Sequence, residues 1–164
     1  SPARRFPGPG RGSPKGSAVP CSPRARRAHR GKPVGPLLDR SDLQLQVRAV
    51  SRAGLLAPAG ESSAQVAARV GMARGLQAER FARTVYRLNS EVPGPMMRAG
   101  FLKLPTAATV DLERALERGV LTLRGYDRVL KVAWTVTDLA GGGTPRRDEV
   151  GLALTLRAQS AVAA

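Results

Sequence analysis

Thr122-Leu-Arg-Gly-Tyr-Asp-Arg-Val-Leu-Lys-Val-Ala-Trp-Thr-Val-Thr-Asp-Leu139 decides the fold class of this chain. Tyr126, Val129, Leu130, Ala133 and Val136 recur at intervals of three and four, which stacks them on one face of an α-helix. The pattern predicts a helix over 122–139, ended by Gly141-Gly-Gly143. On its N-terminal side, 106–118 repeats the theme with Ala108, Leu112, Ala115 and Leu116, and Gly119 supplies the C′ stop. Further upstream, Ser62-x-x-Gln65 fits a capping box, in which the serine oxygen accepts an orphan backbone N–H and the glutamine reaches back. A helix is expected from there to about residue 81, with Val66, Val70, Ala73 and Gln77 on one side. Gly71 and Gly75 each weaken it by about 1 kcal/mol relative to alanine. Pro93, Gly94 and Pro95 break the chain before a short helix around 96–100. Thr144-Pro145 is expected to open a last helix, with Pro145 at N1, Asp148 and Glu149 in the first turn, and Val150, Ala153 and Leu154 on its apolar face.

Composition agrees with packed helices. Aromatic residues make up 4% of the 164, so leucine, valine and alanine must build the core. The net charge of +15 is uneven. Residues 1–38 hold nine Lys or Arg and no acid, leaving 18 basic against 12 acidic residues in the remainder. Residues 1–32 are rich in Pro, Gly, Ser and Arg without apolar periodicity, and such a segment buries too little apolar surface to offset its ordering entropy. It is expected to be a disordered basic tail, read as a solvated run or as an arm neutralising nucleic-acid phosphates. One cysteine, Cys21, and one histidine, His29, make neither a disulfide nor a four-ligand zinc site within the chain. With no apolar run near the roughly 20 residues that span a bilayer and no secretory signal, a cytoplasmic protein without membrane contact is expected.

Ahead of the helices stands Val34-Gly-Pro-Leu-Leu-Asp-Arg-Ser-Asp42, followed by the alternating segment Leu43-Gln-Leu-Gln-Val47. Gly35 and Pro36 make a turn, and the alternation predicts a strand. Read from the residues alone, Arg40 is a surface cation pairing with Asp39 or Asp42, a weak interaction when exposed.

These stretches, with Gly60-Glu-Ser-Ser-Ala64, Leu88-Asn-Ser-Glu-Val-Pro-Gly-Pro95, Leu116-Glu-Arg-Gly119 and Asp138-Leu-Ala-Gly141, occur in the order in which similar segments stand in magnesium-chelatase-like AAA+ ATPases of the competence protein ComM (YifB) group. The chain from about residue 33 to 157 resembles the C-terminal part of that family. The resemblance implies a mainly α fold: an AAA+ C-terminal helical lid bundle preceded by one strand from the ATPase core, with the tail at the N-terminus. The implied organisation is a tail over 1–32, finger loop, strand and connector over 33–60, the lid domain over 61–157 and a C-terminal tail over 158–164. It further implies that Arg40 is the finger entering the neighbouring subunit's ATP site, and that Arg124 is the sensor 2 residue contacting the γ-phosphate in its own subunit. Arg128, one turn later, is a weaker phosphate or surface candidate. For the full-length protein the resemblance implies ATP and Mg²⁺ as cofactors, a homo-oligomeric hexameric ring, DNA as partner and branch migration as the activity.

The sequence departs from the family pattern at Ser41, where an apolar residue is usual, and at Lys32-Pro-Val34. Cys21-Ser-Pro23 matches the end of a family segment while nothing before it does, and the Arg-, Pro-, Gly- and Ala-rich start is also the composition of an out-of-frame reading of GC-rich DNA. There is no G-x-x-x-x-G-K-[ST] loop and no apolar run ending in paired acids for Mg²⁺. The chain is therefore expected to be a C-terminal fragment that binds no cofactor alone, has no metal site and is inactive by itself. Two further readings stay open: a fragment of a magnesium or cobalt chelatase ATPase subunit, and a small basic helical nucleic-acid-binding protein. Trp134 and Tyr126 are expected to be core anchors, Ser62 and Ser63 caps, and Glu113 and Glu117 a solvated face.

Overall fold

The computed structural model describes Asp42, Leu43, Leu45, Pro58 and residues 60–158. Among the described residues five α-helices follow one another: α1 Ser63–Arg80, α2 Gly94–Met97, α3 Thr106–Glu117, α4 Leu123–Leu139 and α5 Arg147–Ala158. Single 3₁₀ turns, Asn89–Glu91 and Gly100–Leu102, flank α2. The expected disordered tail over 1–32 and the expected finger loop, except Asp42, fall outside the described residues. Of the expected strand over 43–47 only Leu43 and Leu45 are described, and neither is in a strand. A strand exists only through a ladder with a neighbour, and no strand occurs among the described residues.

The bundle is organised around α4, which packs against α1, α2, α3 and α5, while α3 also packs on α5. Of the face the periodicity marks, Tyr126, Val129, Leu130 and Ala133 are buried, with Trp134 beside them, while Val136 is only half-buried. Val129 and Leu130 are wholly enclosed, each contributing about 1.5–3 kcal/mol through burial. Trp134 and Tyr126 are core anchors as expected, and the indole Nε1 donates to the Leu102 carbonyl at 3.3 Å. Thr122 caps the helix by accepting from the Gly125 N–H at 3.0 Å. Gly119 ends α3 at φ +69°, the left-handed conformation that a C′ stop requires.

The capping box at Ser62 is present. Ser62 Oγ accepts from the Gln65 N–H at 3.3 Å, and Gln65 Oε1 accepts from the Ser62 N–H at 2.8 Å. Only the later part of α1 is packed, however. Ala73 and Gln77 are buried, but the helical residues 63–72, Val66 and Val70 among them, are exposed. Periodicity identifies the apolar face of a helix but not how far its neighbour extends. A Cβ at Gly71 or Gly75 would meet nothing within 4 Å, so close packing does not explain these glycines.

Two helix starts differ from expectation. The last helix begins at Arg147, with Pro145 outside it. Glu149 Oε2 accepts from the Arg146 N–H at 2.8 Å, which makes Arg146 the cap and Glu149 the third residue in. Pro145 is instead buried, so its place is fixed by packing. The short helix starts at Gly94 rather than Met96, because Pro93 in an extended conformation caps it and Pro95 fits its first turn. Gly100, at φ +58°, then turns the chain into the second 3₁₀ turn.

Candidate functional site

Arg124 occupies the second position of α4, exposed, in a first turn that contains no acid. A cation there opposes the helix dipole by about 0.3–1 kcal/mol. The next residue, Gly125, is buried. A Cβ on it would lie 2.7 Å from Leu121 Cδ1 and 3.2 Å from Arg157 Nε. The absent side chain thus lets α5 bring a second guanidinium against the first turn of α4. One turn on, Arg128 donates through Nη1 to Asp42 Oδ1 at 2.6 Å. One of the two surface partners expected for Arg40, Asp42, is therefore engaged by Arg128, while the other, Asp39, lies outside the described residues. Arg40 itself lies outside the described residues.

Two ion pairs that sequence reading missed join α4 to what precedes α3, one from Arg98 just after α2 and one from Arg80 at the end of α1. Arg98 pairs with Asp127, and the contact depends on Gly94, since a Cβ there would fall 1.8 Å from Asp127 Oδ2. Gly94→Ala is expected to push the Asp127 carboxylate off Arg98 and to lower stability by about 1–3 kcal/mol, the usual cost of overpacking. Urea denaturation checks this, and the loss should shrink in an Asp127→Ser background; equal losses in both backgrounds would refute the steric cause.

The second pair is deeper. The Arg80 guanidinium forks onto Asp138, with Nη1 to Oδ2 at 3.0 Å, and Nη1 also donates to Asn89 Oδ1 at 3.0 Å. Asn89 Nδ2 donates to Asp138 Oδ2 at 2.9 Å and to Thr135 Oγ1 at 3.1 Å, while its backbone N–H donates to Gln77 Oε1 at 3.1 Å. The Arg80 guanidinium carbon lies 4.3 Å from the Trp134 ring centroid, a cation–π contact. This network ties α1, the first 3₁₀ turn and α4 together. Its sequence signal was the Asn89 and Asp138 segments, whose side chains declare no partner until the helices cross.

Elsewhere, burial pushes the Tyr126 phenol above its usual range, and the nearby Glu113 carboxylate adds to the effect. Arg147 holds the Asp111 carboxyl below its usual range through a hydrogen bond, and Arg69 does the same to Glu61. Glu117 is exposed as expected, whereas Glu113 is half-buried and accepts from Thr109 Oγ1 at 2.7 Å. Among the described residues no three His, Cys, Asp or Glu side chains cluster as a metal site would require, and no helix is long and apolar enough to cross a membrane.

The architecture, a helical bundle of the lid type with an arginine on the first turn of its central helix, defines the class. The profile of the family described as magnesium chelatase, subunit ChlI C-terminal, matches residues 60–157, and the chain belongs to that family. Among its relatives is an uncharacterized protein of Mycobacterium tuberculosis, 44% identical over 137 residues, covering 84% of this chain and 27% of the relative. YifB of Escherichia coli is 33% identical over 141 residues, covering 84% and 27%. The competence protein ComM of Haemophilus influenzae is 37% identical over 110 residues, covering 65% and 20%. The chain thus spans about a quarter of the length of the curated relatives it matches.

Proposed function

We propose that this chain is the lid, with the arginine-finger segment before it, of a magnesium-chelatase-family AAA+ ATPase of the ComM type. In the full-length protein, ATP and Mg²⁺ are held by a nucleotide-binding core that this chain lacks. Arg124 reads the γ-phosphate in its own subunit, and Arg40 reaches the neighbour's ATP in a hexameric ring that moves branched DNA. Family membership over residues 60–157 carries this reading, and the kinship with YifB and ComM favours it over a chelatase subunit. The exposed Arg124 at a helix N-terminus supports its role, because a cation in that place is electrostatically sensible when a polyanion comes beside it. The guanidinium fork fits phosphate oxygens and stays charged at any working pH.

Two measurements test it. Joined to its nucleotide-binding core, the protein with Arg124→Ala is expected to bind ATP more weakly as well as to hydrolyse it more slowly, since a contact within one subunit exists before chemistry begins. Unchanged ATP affinity by calorimetry would remove Arg124 from the site. The 164-residue chain alone is expected to show no ATPase activity and at most millimolar affinity for ATP, because no phosphate loop is present in its sequence. Micromolar binding lost in Arg124→Ala would overturn the fragment reading.

A further inference from the structure

Away from α4's first turn, the chain between α1 and α3 forms an apolar cleft of about 290 Å³. Val92 and Leu102, both buried, make its floor, and Tyr86, Met96 and Phe101 its walls. Phe101 is 60% exposed and Met96 49%, and Val85, next to Tyr86, is 89% exposed. Phe101 is braced edge-on by Phe81, and Phe81 in turn by Tyr86, with centroids 6.5 and 6.4 Å apart. One wall is thus a fixed aromatic array. Met96, a side chain that adapts to varied shapes, also lines the cleft.

The charge beside the cleft has one sign. Arg83 and Arg87 adjoin the lining residues in sequence, both are exposed, and neither forms an ion pair among the described residues; Lys103 lines a separate cleft with Glu113. Arg98 is already paired with Asp127. The one acid of this stretch, Glu91, is occupied by the backbone N–H groups of Arg87 and Leu88. An exposed apolar cleft next to unanswered cations is suited to a partner of opposite charge. A second copy fits poorly, because even beyond residue 38 it is net positive, with 18 basic against 12 acidic residues.

We propose that this cleft is a docking site for an acidic segment of another protein, one that seats a single large apolar side chain beside Met96 and Phe101 and sets flanking Asp or Glu residues against Arg83 and Arg87. The anchor supplies most of the affinity, as buried aromatic or aliphatic residues do at interface centres. The flanking charges govern the encounter rate and its salt dependence.

The test is selection of a phage-displayed random dodecapeptide library on the 164-residue chain, followed by fluorescence anisotropy with the enriched peptides. The expected result is enrichment of a Phe, Trp or Leu flanked by acids. Binding should weaken about tenfold or more in Phe101→Ser and become salt-insensitive and weak in the double variant Arg83→Glu, Arg87→Glu. The double variant changes exposed charges alone, so it decides the matter even if Phe101→Ser unfolds; circular dichroism reports that. Enrichment of basic or uncharged peptides, or binding indifferent to the charge reversal, overturns the proposal. So does self-association of the chain that Phe101→Ser abolishes, which would make a second copy the occupant. The proposal also fails if the peptides bind the 164-residue chain but not the same chain joined to its nucleotide-binding core, since the cleft would then be covered from within.

Discussion

Replacing Arg40 by alanine in the chain joined to its nucleotide-binding core is expected to lower ATP hydrolysis by about 10³–10⁵-fold, the range over which arginine fingers act. ATP binding should stay nearly intact. On the proposed reading the finger touches the phosphate across a subunit boundary and chiefly as charge builds on it. Its loss therefore falls on the transition state rather than the ground state. Single-turnover hydrolysis and equilibrium ATP binding separate the two. Mixed rings sharpen the result. When Arg40→Ala subunits are combined with subunits dead in the phosphate loop, some interfaces pair an intact site with an intact finger, and part of the activity should return. Wild-type hydrolysis by Arg40→Ala rings would leave Arg40 as a surface cation with no part in chemistry.

The second large effect is on stability. Asp138→Ala removes the carboxylate onto which Arg80 forks, and it strands a guanidinium whose side chain is 12% exposed together with the Asn89 amide. Breaking one partner out of a buried pair costs about 3–5 kcal/mol, because the other charge stays buried without compensation. Domains of ordinary size hold together by about 5–15 kcal/mol, so the variant should lose a third or more of a typical stability of about 10 kcal/mol. Urea denaturation of the 164-residue chain measures this directly. A double replacement, Arg80→Met with Asp138→Leu, should recover much of the loss, since apolar pairs often substitute for buried ion pairs without penalty. A loss below about 1 kcal/mol for Asp138→Ala would mean that water reaches Arg80 freely, as it does at surface pairs.

The cap at Ser62, the faces of α3 and α4 and the stop at Gly119 were all legible in the sequence, because each depends on neighbours within one or two turns. The placing of Pro145 was not. A proline can open a helix or stand before one, and here the Glu149 carboxylate and the burial of the ring select the second. Val66 and Val70 show the same limit, since their spacing marks an apolar face and only the packed bundle reveals that nothing covers it.

By itself the sequence determined that the chain after about residue 61 is a set of packed helices, one of which carries Arg124 near its start, and its ordered motifs placed it in the right family. Hydrogen bonds within a helix and the periodicity of its side chains are local, so they can be read along one strand of text. Only the tertiary structure decided that Arg80, Asn89 and Asp138 form one network, that Gly94 is small for the sake of Asp127, and that Arg128 answers Asp42. These contacts join residues 9 to 86 positions apart. A charged or amide side chain can take any partner of the right chemistry, and which one it meets is fixed when the apolar faces of the helices are buried against one another.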